Sequence, residues 1–211
     1  MAHLHGGAQI VPTKLELISA WLPSQPWFGA GDPAVTLVGA FRFDDPDGEV
    51  GIETHLVRDV LGRTIQVPLT YRSAPITGGE AWLTGTMDHS VLGPRWVYDA
   101  TGDPVYAATL ATTILTGGTQ AEQVREFPDG HTEISEPSVR VEGSGTQTDV
   151  GGVGLVDVRD EGDVTVIVTS VGDLLLRRII DADSSVLGDL ELTGTWADVD
   201  EPTALVVARL A

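Results

Sequence analysis

The sequence predicts an α+β protein in which two helices sit among antiparallel strands, followed by a mostly antiparallel β second half. Three observations carry this expectation. Apolar residues take helical spacing around residues 12–23 and 103–116, and each segment has a starting residue and a stop. Most other apolar segments alternate and are bounded by Gly, Pro and Asp turns. From Ser138 onward little helical period remains, and 14 acidic residues face 5 basic ones.

The elements follow in order. Behind a short tail, PTKLELISAWLP puts Leu15, Ile18 and Leu22 on one helical face with Trp21 beside them. Pro12 and Thr13 start this helix and Pro23 stops it. PSQPWFGAGDP is a loop, and its Trp27 and Phe28 are expected to be exposed and available for contacts. VTLVGAFRFD, VGIETHLVRDV and TIQVPLTYR are three strands joined by the turn signals DDPDGE and GR, which predicts an antiparallel meander. DDPDGE lacks the alternate-Asp spacing and the distal Glu of a calcium loop, so it reads as a solvated turn. AWLTGTMDHSVL and RWVYDA are two further strands, with a tight turn expected at Gly93–Pro94. In DPVYAATLATTIL, Asp103 caps a helix, Pro104 takes its first position, and Gly117–Gly118 end it. SVRVEG, GLVDVRD, VTVIVTSV, LLLRRII, LELTGTW and ALVVARL are the strands of the second half.

Composition narrows the function. The 211 residues include 42% hydrophobic residues, enough for a core. There is no cysteine, which excludes disulfides and thiolate-held metals. Twelve Lys+Arg against 31 Asp+Glu give a net charge of −19, which disfavours nucleic acid and anionic membrane surfaces as partners. No signal-like segment and no apolar run of about 18 residues is present, so a soluble cytoplasmic protein is expected. Lys14 is the only lysine, so chemistry that needs an amine side chain has one candidate.

Motifs add exclusions. No phosphate-binding P-loop precedes the lone lysine, GVGLVD lacks the full dinucleotide fingerprint, and the GSG at 143–145 is too short for a nucleophile elbow. His3 and His5 could ligate a metal from one strand face, although a frayed terminus is the preferred reading. No cofactor and no metal site is expected. The densest chemistry lies in DHSVLGPRWVYDATGDPVY, residues 88–106, whose candidate functional residues are Asp88, His89, Arg95, Trp96, Tyr98 and Asp99. Strand alternation sets His89 opposite Asp88 and Ser90, which argues against a Ser–His dyad. A structural histidine and an Arg95–Asp99 ion pair across the turn are expected instead.

Three stretches carry a family resemblance. VPTKLELISAWLPSQPWF, VPLTYRSAP and GTMDHSVLGPRWVYDATGDPVYAATLATTILTGG resemble the N-terminal cap of actinobacterial maltokinases, which phosphorylate maltose on the trehalose-to-glycogen route. The resemblance implies a curved antiparallel sheet with packed helices over residues 1–118, in a module that does not carry the family's catalytic residues. A polar connection over 119–137 and an antiparallel β subdomain over 138–211 complete the expected organisation. SGTQTD and LLLRRII resemble the sheet lobe that follows the cap in those kinases. The positions for its phosphate-holding lysine fall at Arg177 and Arg178, and arginine is not an equivalent substitute. No kinase catalytic loop follows, so kinase activity is not expected.

The leading reading is a non-catalytic, cap-like accessory or binding protein of α-glucan, trehalose or glycogen metabolism. Its partner would be an enzyme of that route, or a glucan or maltooligosaccharide. One alternative is an enzyme of another type using Asp88, His89, Arg95 and Asp99 around one pocket. The other is a homo-oligomeric structural protein with Trp27 and Phe28 at its contacts.

Overall fold

The computed structural model describes residues 2–5, 7–127, 129–181 and 186–211, with side chains from residue 7 onward. Its first elements are β1 (Ala2–His5), β2 (Ile10–Val11), α1 (Lys14–Trp21), β3 (Val35–Phe43), β4 (Gly51–Asp59) and β5 (Thr64–Arg72). Next come β6 (Leu83–His89), β7 (Gly93–Asp99), α2 (Pro104–Thr116), β8 (Gln123–Glu126) and β9 (Thr132–Ser135). The second half adds β10 (Val139–Gly143), β11 (Leu155–Glu161), β12 (Val164–Thr169), β13 (Gly172–Arg177), β14 (Leu190–Trp196) and β15 (Val199–Leu210). The fold is therefore mostly β. Its two α-helices, of 8 and 13 residues, contribute less than the α+β expectation.

The strands form two six-stranded antiparallel sheets, in the orders β2-β6-β7-β5-β4-β3 and β10-β14-β15-β13-β12-β11. The expected meander is present as β3–β4–β5, with Arg42 opposite Glu53 and Gly51 opposite Tyr71. A third sheet pairs the N-terminal β1 with β8 in parallel, and β8 with β9. The N-terminal segment read as a tail is thus a strand, and residues 119–137 hold two more strands. The β6–β7 turn lies at Ser90–Leu92, because Gly93 and Pro94 already belong to β7.

Both helices are set by local chemistry. Thr13 and Glu16 form a reciprocal capping box on α1, which offsets the amides left open at a helix start. The Asp103 carboxylate accepts from Val105 N as the α2 cap and also receives both arms of the Arg72 guanidinium at 2.7 Å. At the other end Gly117 takes the left-handed conformation, φ 69°. The GSG segment crosses there. Gly145 N and Gln147 N donate to Ile114 O and Leu115 O, so the second half satisfies the last carbonyls of α2. That approach requires glycine, because a Cβ on Gly145 would lie 2.1 Å from Leu115 O.

The first sheet is buried on both faces. Leu17, Ile18 and Trp21 of α1 and Leu22 just after it cover one face, over Val57, Ile65, Val67, Leu69 and Val97. The opposite face contributes Phe41, Phe43, Ile52 and Leu56 to a core shared with α2 and the second sheet. Trp27 and Phe28 belong to the α1 cluster and are 6% and 2% exposed. The expectation of exposed contacts at these two residues is overturned. The loop after α1 turns them inward, Trp27 against Trp21 and Phe28 beneath the Arg63 guanidinium. Burying two large aromatics stabilises more than leaving them in water.

Candidate functional site: a cavity above a buried ionic cluster

Strand alternation carries α1's side of the first sheet past the apolar cluster into a group of charged side chains. Arg42 follows from β3, Glu53 and His55 from β4, Tyr71 from β5, and Met87, His89 and Arg95 from the β6–β7 hairpin. α1 supplies Lys14 from its first turn. A cavity of about 800 Å³ opens over this end of the sheet, lined among others by Lys14, Arg42, Tyr71, His89 and Arg95. Arg125 and Phe127, on and just beyond β8, close another side.

Glu53 is the centre of the cluster. Its Oε2 receives Lys14 Nζ at 2.5 Å and Arg42 Nη2 at 3.0 Å, and lies 3.7 Å from His55 Nε2. Burial pushes the Glu53 carboxyl up, but the Arg42 and Lys14 charges override it and hold the carboxyl far below the usual range. Burial lowers the Lys14 amine, against the pull of Glu53. Burial also drives His55 down to about 4, so its imidazole is neutral near pH 7. Burial, reinforced by the Glu53 charge, raises the Tyr71 hydroxyl well above its usual value. Two cations over one carboxylate leave a positive excess on the cavity floor. The Lys14 side chain remains 26% exposed, and its ammonium lies 5.5 Å from the centre of the Tyr71 ring.

The six residues singled out in 88–99 scatter around this cavity. His89 and Arg95 line it. His89 Nδ1 accepts from Val91 N and Leu92 N, which fixes the hairpin turn, while Ser90 engages Gln9. Asp88 faces outward and is exposed. Trp96 lies on the other face of β7 opposite Arg72, and the Tyr98 hydroxyl accepts from Ile76 N. Asp99 pairs with Arg178, not Arg95, whose guanidinium donates to Pro94 O. The expected Arg95–Asp99 pair is therefore absent, and Asp88, His89, Arg95 and Asp99 do not share a pocket. Arg178 is enclosed at 1% exposure and cannot take the place of a phosphate-holding lysine. The side chains of His3 and His5 lie outside the described residues. Among those described, no group of three potential metal ligands converges.

Arg42, Glu53, His55 and Tyr71 belong to no recognised sequence motif. A usable signal was present: GAFRF and GIETHLV carry charged side chains at inward positions of strands that are otherwise apolar. Such positions are costly unless the charges meet one another.

Residues 21–103 match the maltokinase N-terminal cap domain. This part of the chain is similar to a maltokinase cap. The matched span is less than half of the chain and contains Arg42, Glu53, His55, Tyr71, His89 and Arg95, whereas Lys14 and α2 lie outside it. The cavity is thus built mostly on the matched segment and closed by residues flanking it. No curated protein matches the chain. No helix among the described residues is long and apolar enough to cross a membrane.

Proposed function

We propose that the protein is a non-catalytic binding protein of α-glucan or trehalose metabolism and that its cap holds a saccharide in the cavity above Glu53. The observation that carries this reading is the make-up of the cavity. The rings of Tyr71 and Phe127 stand beside Lys14, Arg42 and Asp44. Aromatic faces cover the apolar faces of a sugar ring, and charged planar groups bond to its hydroxyls. A volume of about 800 Å³ accommodates two or three hexose units. The cap match supplies the metabolic context.

Isothermal titration with maltose, maltotriose and trehalose tests the proposal. Saturable heat is expected with at least one sugar, and Tyr71→Ala is expected to weaken it about tenfold or more. Absence of heat with all three at millimolar concentration overturns the reading, as does release of a product from any of them.

A further inference from the structure

The chain holds 12 basic residues against 31 acidic ones, yet four of the 12 (Lys14, Arg42, Arg95 and Arg125) line this one cavity. Two of the four are committed to Glu53. The other two have no carboxylate partner among the described residues. Arg95 donates to Pro94 O, a bond to the neighbouring residue that leaves most of its fork open, and Arg125 stands exposed on β8. Arg42 Nε is buried and has no acceptor. The acids of the lining are placed differently. Asp45 spends its carboxylate on Asp47 N, Glu49 N and Val50 N of its own turn, while Asp44 and Glu49 are exposed at the rim.

Arg58 and Arg209 also lack a carboxylate partner among the described residues, but only Arg95 and Arg125 of these four line the cavity. Arg95 and Arg125 come from separate sheets, so the cavity gathers them from distant parts of the chain. The excess positive charge beneath them, from Lys14 and Arg42 over one carboxylate, acts in the same direction. A planar fork presenting several N–H donors suits the oxygens of a phosphate or a carboxylate.

We propose that the ligand of this cavity is an anionic saccharide, a sugar phosphate or a uronate, whose acidic group is held by Arg95 and Arg125. The inference rests on the saccharide reading above and adds the charge of the ligand. The neutral part lies over Tyr71 and Phe127, and the acidic group faces the two arginines.

The test is calorimetric titration of the full chain with glucose, glucose 1-phosphate, glucuronate, maltotriose and inorganic phosphate, repeated on Arg95→Gln/Arg125→Gln. Both arginines are at least partly exposed, and neither joins an ion pair, so the double variant is expected to keep the wild-type melting temperature. One acidic sugar is expected to bind at least about tenfold tighter than glucose, and the double variant to bring it back to the level of glucose. Preference for glucose 1-phosphate or for glucuronate then decides between the two acid groups. Equal binding of acidic and neutral sugars, or a preference that survives the double substitution, overturns the inference and leaves the saccharide reading standing. Inorganic phosphate binding as tightly as glucose 1-phosphate, with maltotriose inert, retains the anion site and overturns the saccharide. No binding by any of the five overturns both.

Discussion

Arg178 donates to Asp99 across 79 residues of sequence, at 2.5 Å and with both side chains buried. The same guanidinium reaches Thr101 and Thr165 and lies 4.8 Å from the centre of the Trp27 ring. One side chain from the end of β13 therefore joins the end of β7, β12 and the loop after α1. A buried pair of this kind adds little against a well-packed apolar replacement, but losing one partner strands a charge. Asp99→Ala or Arg178→Ala is expected to cost about 3–5 kcal/mol. Asp99→Asn/Arg178→Met should cost clearly less than the sum of its single changes, read as urea midpoints in a double-mutant cycle. Additive costs would contradict the pairing.

Acid should loosen the cluster through His55 before it reaches Glu53. The folded-state pKa of His55 is depressed from 6.5 to about 4, so the unfolded chain takes up this proton first. The stabilisation is present above pH 6.5 and is lost as pH falls toward 4, amounting to about 3 kcal/mol. Glu53 is depressed too, and its contribution fades below its unfolded value of 4.5. Denaturation midpoints between pH 7 and 4 should therefore fall more steeply in the wild type than in His55→Gln. Parallel slopes would show that the imidazole is not held neutral.

The order of two substitutions distinguishes a carboxylate bridging two cations from a simple surface pair. Glu53→Gln leaves Lys14 and Arg42 facing each other without a counter-charge and should cost about 3–5 kcal/mol. Lys14→Met keeps the Arg42–Glu53 bond and should cost about 1–2 kcal/mol. Thermal unfolding measures both, and the reverse order is not compatible with the observed geometry.

Gly145 and Gly152 form a matched pair of probes. A methyl on Gly145 meets Leu115 O at 2.1 Å, whereas one on Gly152 meets nothing within 4 Å. Gly145→Ala is expected to destabilise by about 3 kcal/mol, and Gly152→Ala to change stability by less than about 0.5 kcal/mol. Similar denaturation midpoints for the two variants would remove the close crossing at the end of α2.

Much of the fold could be read because its signals are local. Period-2 alternation in VTLVGAFRFD and TIQVPLTYR, the Thr13 and Asp103 caps and the Gly117 stop each depend on a few neighbouring residues. The third sheet could not be read this way. QVRE and TEIS lack a buried apolar face, and the partner of β8 lies some 120 residues earlier in parallel register. The inward turn of Trp27 and Phe28 is hidden from the sequence for a related reason, since Pro- and Gly-rich flanks indicate a loop but not which way its aromatics turn. At the candidate site, density of chemistry in 88–99 drew attention to Asp88 and Asp99. The cavity instead draws one or two residues from each of several strands, and only the long-range pairing of those strands brings them together.

The crossing at the end of α2 bears on how the molecule can be divided. Gly143, Gly145 and Gln147 donate to Gly118, Ile114 and Leu115, and Val139 and Val141 pack in the same core as Phe41 and Ile114. A fragment ending at 118 would leave the Ile114 and Leu115 carbonyls without their donors and display an open apolar face, and the remainder would lack the surface that covers its own sheet. Expressed apart, the two pieces should be insoluble. Expressed together, they should reassemble as a split pair, with the seam itself as the adhesive.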